Sequence, residues 1–148
     1  MSLAMTKSER EAFLAALHVG VISISQSGRG PLTVPIWYAY QPGGELWVLT
    51  DRDSRKGKQL KTGKRISLCA QTETAPYQYV SVEGPIVAIV PSDRERDARP
   101  MAHRYLGAAL GDRYVEATSG DRETGGSIVV RMRPERWLSA DYKKQFSV

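Results

Sequence analysis

Ser54, Arg55 and Lys56, which follow Thr50 after a short polar stretch, form the segment of this chain best equipped for chemistry. A serine that opens a helix accepts from the backbone of its first turn, where several N–H groups have no partner within the helix. Two cations beside those donors, with a threonine hydroxyl nearby, suit a phosphate or a carboxylate. Charge alone equally describes a solvated basic face, because Lys58, Lys61, Lys64 and Arg65 continue the run. The choice depends on what holds the segment in place. Trp47 to Thr50 is apolar, Asp51-Arg52-Asp53 is a polar turn, and an apolar run resumes at Ile66. That order reads as strand, turn, short helix, strand.

The other reactive side chains lack partners. His18 and His103 are the only histidines, and neither has a cysteine or carboxylate at metal-ligand spacing. There is no Gly-x-Ser-x-Gly elbow and no Cys/His pairing, so nucleophilic hydrolysis finds no support. Gly28-Arg29-Gly30 is too short for a dinucleotide fingerprint and reads as a turn. Cys69 sits in an apolar run, as a small core residue does. If the chain is an enzyme, a bound cofactor has to carry the reaction.

At 148 residues the sequence is long enough for one domain with its own core. Charged residues make up 25% and hydrophobic ones 41%, a balance that excludes wholesale disorder. A net charge of +5 favours an anionic partner without choosing among nucleic acid, acidic lipid and a phosphorylated small molecule. The single cysteine cannot form an internal disulfide, so a reducing cytoplasm is the expected location. Apolar runs are too short to span a membrane, and the first residues lack the pattern of a secretory signal. Met5 offers a second starting methionine, which would make residues 1–4 a vector-derived extension.

Positioning falls to the surrounding elements. Thr6 to Glu9 has capping-box spacing and predicts a helix over about 7 to 17. Strands are expected at 19–25, 32–40, 45–50, 65–71 and 77–90, with another at 127–133 and an extended segment at Trp137 and Leu138. Pro35 should put the second of these at a sheet edge or break it there. In the long run from Tyr77, Val80, Val82, Ile86, Ala88 and Val90 share one parity, and Gly84 marks a bulge or bend. A second helix opens at Ser92–Glu95, is kinked or interrupted at Pro100, and ends at Gly107 and Gly111. A polar, glycine-rich loop follows from Ser119 to Gly126. The fold class is therefore mainly β, an antiparallel barrel or sandwich of six or seven strands with flanking helices.

With these residues in order, the chain resembles the pyridoxamine 5'-phosphate oxidase-like split-barrel superfamily, which binds FMN or a deazaflavin. The likeness is greatest to its small actinobacterial deazaflavin-dependent branch. Four stretches carry it: Val34-Pro35-Ile36-Trp37-Tyr38, Thr50 with Ser54-Arg55-Lys56, Tyr79 to Gly84, and Arg133 to Trp137. The resemblance spans roughly residues 10 to 140 and implies a split β-barrel. It implies that Arg55 and Lys56 bind a cofactor phosphate, with Ser54 and Thr50 as hydrogen-bond donors. It further implies that Val34, Pro35, Ile36 and Trp37 line the polar edge of the ring, and that Tyr77, Tyr79 and Trp137 supply aromatic walls across a homodimer interface.

The implied function is an oxidoreductase that transfers a hydride to an unsaturated small molecule, using the deazaflavin coenzyme F420 or, alternatively, FMN. Lys58, Lys61 and Lys64 favour the deazaflavin, whose acidic tail they could attract. The substrate-phosphate residues of a true pyridoxamine phosphate oxidase are not found near the C-terminus, so vitamin B6 oxidation is not expected. No residue stands out as an obligatory proton donor, and Tyr79 is the one candidate. A non-catalytic flavin carrier or sensor on the same fold is the main competitor. A basic barrel stacking bases on Trp37, Trp47 and Tyr38 is the other, disfavoured because the cations gather in one phosphate-sized segment.

Overall fold

The computed structural model describes residues 2–118 and 126–146. Helix α1, Lys7–Ala15, opens with the expected reciprocal cap: Glu9 N–H donates to Thr6 Oγ1 at 3.2 Å and Thr6 N–H donates to Glu9 Oε1 at 2.8 Å. It stops short of residue 17, where Leu17 lies on the surface and offers nothing to bury.

Eight antiparallel strands follow: β1 Gly20–Gln26, β2 Arg29–Ile36, β3 Tyr38–Tyr40, β4 Leu46–Asp51, β5 Arg65–Gln71, β6 Gln78–Pro91, β7 Ser127–Met132 and β8 Arg136–Asp141. They pair in the order β2-β1-β5-β6-β7-β4-β3, and β8 pairs with β6. The sheet curls into the expected split barrel. Strand β6 is its spine: the first part pairs with β5 and β8, and the second part pairs with β7. Gly84 allows the change of partners. A Cβ there would fall on the Arg133 carbonyl oxygen and only 2.8 Å from its carbon.

The bulge lies beyond that glycine, not on it. Register slips between Ile86 and Ala88, so Val87 is the extra residue. The slip turns Ala88 and Val90 off the core parity, and Ile89 packs against the core in their place. Pro35 sits in β2 opposite Val21 at the edge of the sheet, where its missing N–H costs no ladder bond. The interruption comes two positions later, at Trp37. There the chain leaves the β1 ladder after Ile36 and joins β4 from Tyr38, which splits the expected second strand in two.

Ile22, Ile24, Leu46, Val48, Leu68, Val80, Val82, Ile86 and Met132 fill the barrel with almost no exposure. Each such side chain contributes about 1.5–3 kcal/mol relative to an exposed one. Tyr38 is buried among them and its hydroxyl donates to the Leu14 carbonyl at 2.7 Å, which docks α1 onto the barrel.

The helical part departs furthest from expectation. The cap is Asp93, not Ser92: Arg96 N–H donates to Asp93 Oδ2 at 2.7 Å, and Asp93 N–H donates to Asp97 Oδ2 at 2.8 Å. A π-helical turn, Arg94–Ala98, leads into α3, Arg99–Leu106, whose first turn holds Pro100. The proline, which lacks an N–H, therefore comes directly after the wider π-helical turn and does not end the helix. Gly107, at φ 80°, ends α3, and a further helix runs from Ala108 to Thr118. We number it α4, counting the short Arg55–Gln59 helix as α2. Gly111 belongs to its interior. A Cβ there would come within 3.0 Å of the Ala102 and His103 backbone, so this glycine is a close crossing of α4 over α3 and not a stop. Most of the polar loop expected at 119–126 lies outside the described residues. No described helix is long and apolar enough to cross a membrane.

Candidate functional site

The Trp37 crossing, the end of β4, α2 and the α3–α4 pair enclose a cleft of about 250 Å³. Its polar end is built as the spacing suggested. Ser54 caps α2, and its Oγ accepts from Gly57 N–H at 3.0 Å while donating to the Asp51 carbonyl at 2.7 Å. The hydroxyl has one hydrogen, so the 3.1 Å contact with Thr50 Oγ1 is a bond donated by Thr50. Ser54 therefore organises the segment, and Thr50, almost wholly buried in the cleft lining, spends its one hydrogen on Ser54 and is not the free donor the sequence suggested.

Gly57 explains how α2 lies so close to the end of β4. A Cβ on it would stand 2.6 Å from the Arg52 carbonyl oxygen, and closer still to that of Asp51. The sequence signal was present in Arg-Lys-Gly-Lys, a glycine inside a helix with no propensity reason to be there.

The two cations separate. Lys56 lines the cleft, whereas Arg55 lies exposed at the start of α2 and outside the lining. Lys64 is structural. Its Nζ donates to the Ser25 carbonyl at 2.8 Å and to the Gln59 carbonyl at 2.9 Å, strapping the end of α2 to β1. Lys58 and Lys61 are exposed.

Pro35, Ile36 and Trp37 also line the cleft, with Val34 next to them packed against the core. Behind Trp37 stands Tyr105, its ring centroid 4.9 Å away and nearly parallel at 6°. Tyr114 meets the indole at 5.4 Å with a 50° tilt. Apolar side chains of Met101, Ala102 and Val115 close the cleft from the helices. These α3 and α4 residues were missed in the sequence, where Gly107 and Gly111 read as the end of one helix and hid α4.

The other three aromatics do not meet the cleft within this chain. Tyr77 is 53% exposed, and Tyr79 lies on β6 between Gln71 and Ala140. Trp137 packs edge-on to Tyr40 at 6.1 Å, beneath the Arg10 guanidinium at 4.8 Å.

Electrostatics around the cleft tie the helices down. Asp112 Oδ1 lies 2.6 Å from His103 Nε2 and accepts from Arg99 Nη1 at 2.6 Å, and these bonds hold the Asp112 carboxyl below the usual range. Burial pushes the Asp97 carboxyl up, yet bonds from Arg96 and Asp93 N–H prevail and leave it lowered. Burial pushes the Tyr38 phenol far up, so it remains a neutral donor to Leu14. Among the described residues no group of three or more His, Cys, Asp or Glu gathers as a metal site would require.

The arrangement brings a cation, two hydroxyls and an indole into the lining of one cavity. Solved structures of the same fold were compared with it. The conserved hypothetical protein Rv2991 from Mycobacterium tuberculosis superposes with a TM-score of 0.75 over 99% of this chain and 91% of that one, at 22% identity. An F420 reductase matches with a TM-score of 0.69 over 86% of this chain and 94% of its own, at 19% identity. A FAD-binding protein from Mesorhizobium loti matches with a TM-score of 0.63 over 91% and 94% respectively, at 16% identity. At these identities the likeness establishes the fold. No curated protein matches the sequence. The family model described as pyridoxamine 5'-phosphate oxidase matches residues 6–140, nearly the whole chain, and the protein belongs to that family.

Proposed function

We propose that the cleft binds a flavin-type cofactor, the deazaflavin coenzyme F420 ahead of FMN, and that the protein is an oxidoreductase. The observation that carries this reading is the union of Lys56 and Thr50 with the Trp37 wall around one cavity. An elongated ligand with an anionic end and a flat apolar end fits that donor set. When bound, such a cofactor supplies hydride transfer to an unsaturated small-molecule acceptor. The chain's own residues would do the rest. Lys56 neutralises the phosphate, and Ser54, which takes the one Thr50 hydroxyl hydrogen, holds the segment in place through its bonds to Asp51 and Gly57. Trp37 orients the ring, while Met101, Ala102 and Val115 keep water from it. The preference for the deazaflavin is supported by exposed Lys58 and Lys61 on the α2 side, and Lys64 no longer contributes to it.

The partner is proposed to be a second copy. Strand pairing sets Pro35, Val21, Cys69, Ser81 and Leu138 in one row across the sheet, and Leu138 is 64% exposed. Pro35 belongs both to this row and to the cleft, so a copy docked on the row would reach the cofactor. Tyr79 shares that face of β6, which is where a residue facing the partner's cofactor has to lie.

Titration of the purified protein with coenzyme F420 and with FMN tests the reading, followed by Lys56→Ala. Loss of a charge-assisted phosphate contact costs about 1.5–3 kcal/mol, so Kd should rise roughly ten- to hundred-fold. Failure of both cofactors to bind at micromolar levels defeats the proposal, and an unchanged Kd in Lys56→Ala defeats the site. Turnover with a coenzyme-regenerating system separates an oxidoreductase from a carrier.

A further inference from the structure

Tyr105 is absent from the cleft lining, yet it holds a residue that lines it. Its ring lies flat against Trp37, 4.9 Å between centroids and 6° from parallel. Its hydroxyl accepts from Tyr38 N–H at 3.0 Å and lies 2.6 Å from the His18 carbonyl, to which it donates. The preceding residue works on the same spot. Arg104 Nε donates to the Tyr38 carbonyl at 3.1 Å, and Nη2 donates to the Ala16 carbonyl at 3.0 Å.

These bonds converge on the point where the chain leaves one ladder for another. Trp37 is the one residue between β2 and β3, so no strand pairing restrains it. Tyr38 resumes pairing with β4, but its own N–H and C=O face α3, and without Tyr105 and Arg104 both would lack partners. An indole at an unpaired crossing has rotamers to lose when a ring docks on it. One already held flat does not.

From this we infer that Tyr105 is a positioning residue. It fixes the Trp37 indole as a preset wall of the cleft, so that a flat ligand binds without first ordering that side chain. The inference rests on the flavin reading of the cleft and adds a residue to it.

Incorporation of 5-fluorotryptophan gives one ¹⁹F resonance for each of Trp37, Trp47 and Trp137, and Trp37→Phe identifies the first. Tyr105→Leu removes the stacking ring. The Trp37 line is expected to move toward the solvent-exposed position while the other two hold, and Kd for FMN and coenzyme F420 should rise at least fivefold. Tyr105→Phe keeps the ring but leaves the Tyr38 N–H without that partner, so it should keep the Trp37 line near its parent position and raise Kd less than Tyr105→Leu does. Should Tyr105→Leu not fold, Tyr105→Met carries the same expectations. A folded variant with an unmoved Trp37 line overturns the inference, and so does a moved line with an unchanged Kd. A parent chain that binds neither cofactor, while the Leu variant still releases Trp37, overturns the flavin reading and leaves the Trp37 clamp standing.

Discussion

Replacing Gly57 with alanine sets two physical effects against each other. Alanine is the better helix former by about 0.5–1 kcal/mol, so propensity predicts a more stable chain. Space predicts the opposite. The new Cβ would stand 2.6 Å from the Arg52 carbonyl oxygen, a separation that real Cβ atoms do not show, with the Asp51 oxygen nearer. Both obstacles are backbone, so α2 has to move away as a unit. Overpacking of this kind costs about 1–3 kcal/mol. The move also stretches the 3.0 Å bond from Gly57 N–H to Ser54 Oγ, and a lost N-cap costs about 1 kcal/mol. Sterics therefore prevail, with a net destabilisation of about 1–3 kcal/mol. At roughly 2–4 °C per kcal/mol for a chain near this size, calorimetry should show the melting midpoint lowered by about 2–12 °C. Because Lys56 travels with α2, cofactor affinity should fall about tenfold, equivalent to about 1.4 kcal/mol. A midpoint at or above that of the parent would refute the close approach of α2 to β4.

Two further outcomes are expected. Leu138→Asp places a charge in the middle of the exposed row and should convert the protein from dimer to monomer in light scattering coupled to gel filtration; a parent that is already monomeric rejects the partner proposal. Acid stability should follow Glu9, whose carboxyl is held at about 2 by a bond from Lys144 and then by Thr6 N–H, against an ordinary value of 4.5. The folded value is the lower one, so this contribution is present above about 4.5 and disappears as pH falls toward about 2. Glu9→Gln should flatten the decline of the melting midpoint across that window, and an unchanged profile there removes Glu9 as a cause.

Much of the barrel was legible because strand periodicity and turn residues are local. Arg65–Gln71 forms a strand at the expected bounds, Ser54 caps α2, and Pro35 lies on an edge for the reason that proline must. The closeness of Thr50, Ser54 and Lys56 was likewise local, since a hydroxyl, a helix start and a cation stand within a few residues. Glycine was the least readable residue. Gly107 ends a helix, Gly111 lies within the next, and Gly57 and Gly84 permit backbone contact; only neighbours distant in sequence distinguish these uses.

What the tertiary structure alone decided was the assignment of equal-looking residues to different roles. Lys56 and Lys64 read alike as members of one basic run, yet one lines the cleft and the other straps α2 to β1. Three tryptophans read alike as aromatic, yet only Trp37 lines the cleft, because the chain changes ladders there and Tyr105 waits behind it. Residue type and short-range spacing determine what a side chain is able to do. Which carbonyl, ring or cavity it meets depends on contacts between residues dozens of positions apart, and those exist only once the sheet has curled.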